Sequence, residues 1–225
     1  MNNIKDYREK ELKSYIIGNI LLLLGYSGKL HDLITWGIDN SFNALEIIVE
    51  SALLSSVLYI YVFIMDSIIS GEMKFFICYL GVEKKPGYTI FTEMKRNLKD
   101  DRFSQDDVLD KYKEVYENMP EKNRKKYENV NWFRLYNGCK NESKVYTSHR
   151  DYLLCRDLCV SSVLIFIVYL ILVFLFNVFC FSWRICVFFL IEVLVTNIAM
   201  RVKGTRFAYN VIAVDINDRE SSDKE

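Results

Sequence analysis

From Leu158 to Trp183 the chain carries no charged residue. A helix crossing a hydrocarbon layer of ~30 Å needs about 20 mostly apolar residues. Leu158–Phe179 meets that requirement, with Ser161, Ser162 and Asn177 as its notable polar positions. Elsewhere the pattern reverses, and between Tyr112 and Lys126 charges recur at about every second residue. Apolar residues make up 51% of the chain and charged ones 26%. In a soluble domain the two would be interleaved at helical or strand spacing. Their segregation indicates a chain that lives in two solvents.

After a turn at Cys180–Arg184, Ile185–Met200 is apolar except for Glu192 and Asn197 and ends at Arg201. The two runs read as a helical hairpin. In the N-terminal half, Tyr15–Tyr26 is apolar but short, and reaches spanning length only if continued past Lys29, His31 and Asp32 to about Trp36. Alternatively it is a buried or amphipathic helix on the membrane surface. Leu45–Ile69 is long enough to span, with Glu46 and Glu50 at its start and Asp66 near its end. These runs read as a first hairpin.

The expected fold is therefore an all-α membrane protein, with two transmembrane hairpins flanking a small, mainly helical cytosolic domain. Its parts are an N-terminal segment 1–13, a hairpin 14–70, the domain 71–157, a hairpin 158–200, and a basic stretch and acidic tail 201–225. Lysine and arginine placement orients it. Lys5, Arg8, Lys10 and Lys13 precede the first span, and Arg201, Lys203 and Arg206 follow the last. None lies between Gly37 and Ala44, and Arg184 alone occupies the second short turn. Both termini and the central segment are thus expected in the cytosol. No cleavable signal peptide is evident, and the six cysteines do not read as a disulfide framework.

In the central segment, Pro86-Gly87 marks a turn, and Ser104–Asn118 reads as a helix with Ser104 as N-cap. Asn131–Tyr136 reads as a short strand or a helical turn. Ser148–Arg156 runs on into the third span, and the tail from Asp215 is expected to fray.

Catalysis is not expected. There is no phosphate-binding glycine loop, no H-E-x-x-H and no G-x-S-x-G. The two histidines, His31 and His149, fall on opposite sides of the expected membrane. No cofactor is implied. Cys139, His149, Cys155 and Cys159 form one weak zinc pattern, in which Cys155 and Cys159 share a helix face. The alternative is small apolar side chains at a helix contact.

The acids inside the spans carry more information, because a carboxylate in hydrocarbon costs at least ~2.5–3.5 kcal/mol and normally faces a bundle interior or water. Glu50 and Glu192 both fall about 10 Å from the outer ends of their spans. Lys29, Glu46, Glu50, Glu192 and Arg184 therefore form a candidate cluster. It is either a polar lining repeated in an oligomer or a buried ion-pair set that fixes helix register. The basic run Lys122, Arg124, Lys125 and Lys126 could meet anionic lipid, RNA or a nucleotide, or be a solvated helix face. Arg201, Lys203 and Arg206 read as a lipid-anchoring set.

Four segments carry a resemblance: Lys85-Pro86-Gly87, Trp132–Tyr136, His149–Asp157 and Arg201–Ala208. With the order of hairpin, insert and hairpin, the chain resembles small four-helix bacterial membrane effector and accessory proteins of antiphage defence systems. These include effectors paired with cyclic-nucleotide synthases and proteins beside type VI-B CRISPR nucleases. The resemblance implies an inner-membrane homo-oligomer that forms pores or perturbs the bilayer. Alternatively it implies a membrane-anchored module that modulates a cytosolic partner such as a nuclease.

Overall fold

A computed structural model describes residues 4–26, 41–79, 85–98 and 100–222. Within them every regular element is a helix: α1 (Ile4–Tyr26), α2 (Ser41–Ile68), α3 (Gly71–Tyr79), α4 (Ile90–Arg96), α5 (Gln105–Lys111), α6 (Lys113–Glu117), α7 (Arg124–Cys139), α8 (Ser143–Phe174) and α9 (Trp183–Ser222). The chain divides into two compact units. One takes residues 1–78 and 154–198, the other 79–153 and 199–225.

The first unit is built on apolar helix faces. Ile16, Ile20, Leu23 and Leu24 recur at helical spacing and are almost fully buried. They share a core with Leu58 and Val62 of α2, Ile165, Val168, Tyr169 and Val173 of α8, and Ile185, Cys186 and Phe189 of α9. Contacts between α8 and α9 run in opposite directions along the two helices. Phe166 and Tyr169 meet the Phe189 ring at 5.8 and 6.2 Å, while Ser162 lies 3.5 Å from Thr196. The two helices are thus an antiparallel hairpin, as the sequence leads one to expect.

The connection between them has a chemical stop. Asn177 adopts φ 53°, a left-handed conformation that asparagine tolerates better than most residues. The Val178 N–H then reaches back to the Leu172 carbonyl at 2.9 Å, closing the end of α8. The Ser182 N–H, at the entry to α9, donates to the buried Tyr169 hydroxyl at 3.0 Å.

The outer faces of this unit are apolar too. On α2, Val49, Leu53, Val57, Ile60, Ile64 and Ile68 are exposed. On α9, Leu190, Ile191, Leu194, Val195 and Ile198 are exposed. Among the described residues, two helices, α8 and α9, are long and apolar enough to cross a membrane. Only 28% of the apolar stretch of α9 is buried, against 56% for α8. The segment 27–40, through which the first expected span would continue, lies outside the described residues.

The second unit has an aromatic core, and the four segments singled out in the sequence all contribute to it. Trp132 packs edge-on to Phe207 at 5.2 Å, and its indole N–H donates to the Ala208 carbonyl at 3.3 Å. His149 stacks on Phe207 at 4.7 Å, and Tyr152 stacks on the same ring at 6.0 Å. Two glycines make room. A Cβ at Gly87 would come within 2.7 Å of the Trp132 ring, and one at Gly204 within 2.9 Å of the Tyr152 ring.

Three local readings change in this unit. The helix expected over Ser104–Asn118 does begin at a capping box. The Ser104 hydroxyl accepts from the Asp107 N–H at 3.1 Å, and the Asp107 carboxylate accepts from the Ser104 N–H at 2.9 Å. It breaks at Tyr112, whose hydroxyl donates to Asp215 at 2.7 Å. The Asn131–Tyr136 stretch lies inside α7, with Glu128, Trp132 and Cys139 on its buried face. The tail, expected to fray from Asp215, is helical as far as Ser222. Lys111 pairs with the Asp215 carboxylate at 3.1 Å.

Glu128 is a buried carboxylate, 1% exposed, although the sequence sets it beside a solvated basic run. It accepts from the Thr92 N–H at 3.0 Å and from the Thr92 hydroxyl at 2.5 Å. Thr92 lies in the first turn of α4, where Thr89 makes no side-chain cap bond. The cap of α4 therefore comes from another helix. Burial raises the Glu128 pKa despite these bonds. A raised folded pKa means that the protonated form fits the fold better. Stability from this group is fully present below the unfolded pKa and falls as pH rises through the folded one. Glu128→Gln, which keeps an acceptor without the charge, should therefore flatten the loss of stability on going from pH 5 to pH 8. Glu128→Ala leaves two donors unpaired and should cost about 1–3 kcal/mol at either pH. Denaturant titrations of the full chain at both pH values check this, and a Gln variant as pH-dependent as the parent would refute it.

Candidate functional site

Glu192 occurs midway along the apolar stretch of α9, and the residues that meet it are polar but uncharged. On α1, Tyr15 and Asn19 are one turn apart. So are Glu192 and Thr196 on α9, while α8 contributes Ser161 and Ser162. The Asn19 amide donates to one Glu192 oxygen at 2.9 Å and to the Tyr15 carbonyl at 3.2 Å. Both of its N–H groups are thereby used. The Tyr15 hydroxyl lies 2.7 Å from the Ser162 hydroxyl, which itself donates to the Leu158 carbonyl at 2.8 Å. Ser162 has one proton, so Tyr15 is the donor between them. The Thr196 hydroxyl is spent in the same way, on the Glu192 carbonyl at 2.8 Å.

This accounting leaves one deficit. The second Glu192 oxygen is buried with no hydrogen-bond partner, and so is the Ser161 hydroxyl, on a residue that is 0% exposed. A carboxylate among hydroxyls and amides, with one oxygen unpaired, is suited to receive a further donor or cation. Among the described residues no ion pair engages Glu192.

Of the remaining members of the expected cluster, the structure describes the side chain of Arg184 alone. Arg184 is exposed in the first turn of α9. Lys29 and the side chains of Glu46 and Glu50 lie outside the described residues. Of the expected anion-binding residues, Lys122, Arg124, Lys125 and Lys126 are all exposed. Arg201 sits over the Tyr79 ring at 5.6 Å, Lys203 pairs with Asp151 at 2.9 Å, and Arg206 is exposed.

The zinc pattern is not assembled. Cys139 and His149 belong to one unit, Cys155 and Cys159 to the other. The Cys139 thiol donates to the Leu135 carbonyl at 3.3 Å, and the His149 Nδ1 lies 3.1 Å from the Tyr136 hydroxyl. Cys159 is buried 3.9 Å from the Asn197 amide. Among the described residues no group of three or more His, Cys, Asp or Glu could hold a metal ion.

Sequence reasoning missed two features of this unit. Asn19 and Tyr15 carry no charge, so nothing sets them apart within an apolar run. Their spacing of four was the available signal. The second is an ion cluster, in which Lys74 lies 2.6 Å from Asp66 and 3.7 Å from Asp157, and Arg156 lies 2.9 Å from Asp157. The chain matches no family model, no curated protein and no solved structure.

Proposed function

We propose that the chain is a non-enzymatic, multi-pass membrane effector whose apolar unit, as a homo-oligomer, makes the bilayer permeable to ions. The reading has four spans: the first expected from Tyr15 to about Trp36, and one each in α2, α8 and α9. Both termini and the polar unit face the cytosol of a bacterial cell. The observation that carries it is Glu192, half-buried in an apolar stretch with one buried carboxylate oxygen unpartnered. A residue retained only for packing would not leave such a group undersatisfied, because the deficit costs about 1–3 kcal/mol or more for a charge. The exposed apolar faces of α2 and α9 support the membrane setting, since exposed apolar area on this scale calls for lipid or another subunit. The antiphage setting rests on the resemblance of the four sequence segments.

Expression with a membrane-potential dye tests the reading. The parent chain should depolarise cells, and Glu192→Gln and Glu192→Ala should reduce that effect several-fold at equal membrane abundance. Equal depolarisation by all three, or none by any, counts against it.

A second reading is a membrane-anchored module that engages a soluble partner. It is favoured by the separate core of the polar unit around Trp132. That core draws on Phe207 and Ala208 of α9 as well as on residues 79–153. A span-deleted variant must therefore retain residues 199–225 to be informative. Partner-dependent activity kept by such a variant would favour the module.

A further inference from the structure

The stretch of α9 from Arg201 to Asn210 presents two faces. Gly204, Phe207 and Ala208 turn into the aromatic core. Arg201, Thr205, Arg206 and Asn210 face an open cleft of about 740 Å³, closed on its other side by Asp100, Asp101 and Arg102. That volume is in the range of small-molecule sites, ~300–1,000 Å³.

Arg102 is held in place across this cleft. Its Nε and Nη2 donate to the Asp100 carboxylate at 2.8 and 2.5 Å, and its Nη1 donates to the Asn210 side-chain oxygen at 2.7 Å. A guanidinium has five N–H donors, so two remain for a ligand on a group already oriented. The Arg102 guanidinium also holds the Asp100 carboxyl below the usual carboxylate range, so the charge of Asp100 is spent on its neighbour. Arg206 is exposed, and among the described residues no hydrogen bond or ion pair engages it. It also borders an adjoining cavity with Lys144, Asp151 and Lys203. The two depressions together hold five cations against three carboxylates. Asp100 and Asp151 are already paired, the latter with Lys203.

We infer that this cleft binds a phosphate-bearing group, with Arg201 and Arg206 as charge contacts and Arg102 as a preoriented donor. Planar guanidinium forks match phosphate oxygens, and charge-assisted bonds of this kind are about twice as strong as neutral ones. The inference goes beyond the permeation reading, because it gives the polar unit a ligand. The nearest source follows from chain position. Arg201 directly succeeds the apolar run that ends at Met200, and Arg206 lies five residues further, ~7.5 Å along the helix. If that run spans, the arginines lie among lipid headgroups, and an anionic phosphodiester lipid is at hand. This step alone rests on the membrane reading. A soluble phosphate ester offers the same chemistry.

Calorimetric titration of the full chain separates these sources. The protein is held in phosphatidylcholine nanodiscs and titrated with short-chain phosphatidylglycerol in one arm and inorganic pyrophosphate in the other. Saturable binding is expected in at least one arm, weakened about tenfold or more by R206E. It should be unchanged by K113E, a charge reversal at an exposed position outside the cleft. Binding of the lipid assigns a headgroup site, and binding of pyrophosphate alone assigns a soluble ligand. Absence of saturable binding in both arms overturns the inference, and so do equal losses from R206E and K113E. Should R206E fail to fold, R206Q takes its place. Should the chain prove soluble without lipid, the membrane reading falls and the pyrophosphate arm, run in plain buffer, still decides the cleft.

Discussion

Trp132→Ala should destabilise the polar unit by about 3–5 kcal/mol, the range for deleting a buried indole. The side chain is 5% exposed and fills the space left by the missing side chain of Gly87. Its ring also lies 5.9 Å from Tyr136, in a stack, and edge-on to Phe207. Alanine would leave a cavity bounded by three helices that cannot all collapse into it, because Phe207 is also held by His149 and Tyr152. Trp132→Phe keeps most of the ring contact and loses the indole N–H bond to Ala208. Its expected cost is about 1–2 kcal/mol, combining one hydrogen bond with a partial cavity. Denaturant melts followed by circular dichroism would rank the two. Amide exchange would locate the loss, with protection falling along α9 from Thr205 to Ile212 for the alanine variant. An alanine variant within 1 kcal/mol of the parent would show that the aromatic cluster does not hold this unit together.

What the sequence reveals of this fold tracks how local the causes are. The α8–α9 hairpin is legible because apolar content over some twenty residues suffices to describe it. The Ser104 cap is legible because its partner, Asp107, is three residues away. The break at Tyr112 is not legible, and neither is the bond of its hydroxyl to the Asp215 carboxylate, 103 residues later. That same bond and the ion pair with Lys111 tie Asp215, where the acidic and serine-rich tail begins, to α5 and Tyr112. The Trp132–Tyr136 run is rich in bulky residues that suit strand or helix alike. Only the spacing of Glu128, Trp132 and Cys139 gives away α7. The candidate site divides in the same way. Glu192 stands out as a charge in an apolar run, whereas Asn19, which partners it, lies 173 residues away and is uncharged. Residues of the four segments meet in one aromatic core.

The ion cluster around Lys74 should prove more sensitive to the loss of one member than to the loss of a pair. Lys74 sits in α3 with its side chain 8% exposed, and it serves Asp66 and the fully buried Asp157 together. Removing it as Lys74→Met takes the 2.6 Å cation from Asp66 and one of two nearby cations from Asp157. Breaking a buried pair in this way costs about 3–5 kcal/mol, because an uncompensated charge stays out of water. The double variant Lys74→Met with Asp66→Leu removes the stranded carboxylate and leaves the Arg156–Asp157 pair at 2.9 Å intact. It should recover most of the loss, since a well-packed apolar pair can match a buried ion pair. The coupling between the two sites would then be large and of the sign that marks direct contact. Thermal unfolding of parent, both single variants and the double variant in one detergent gives that cycle. Additive single effects, or a Lys74→Met variant as stable as its parent, would mean that water reaches the cluster and screens it.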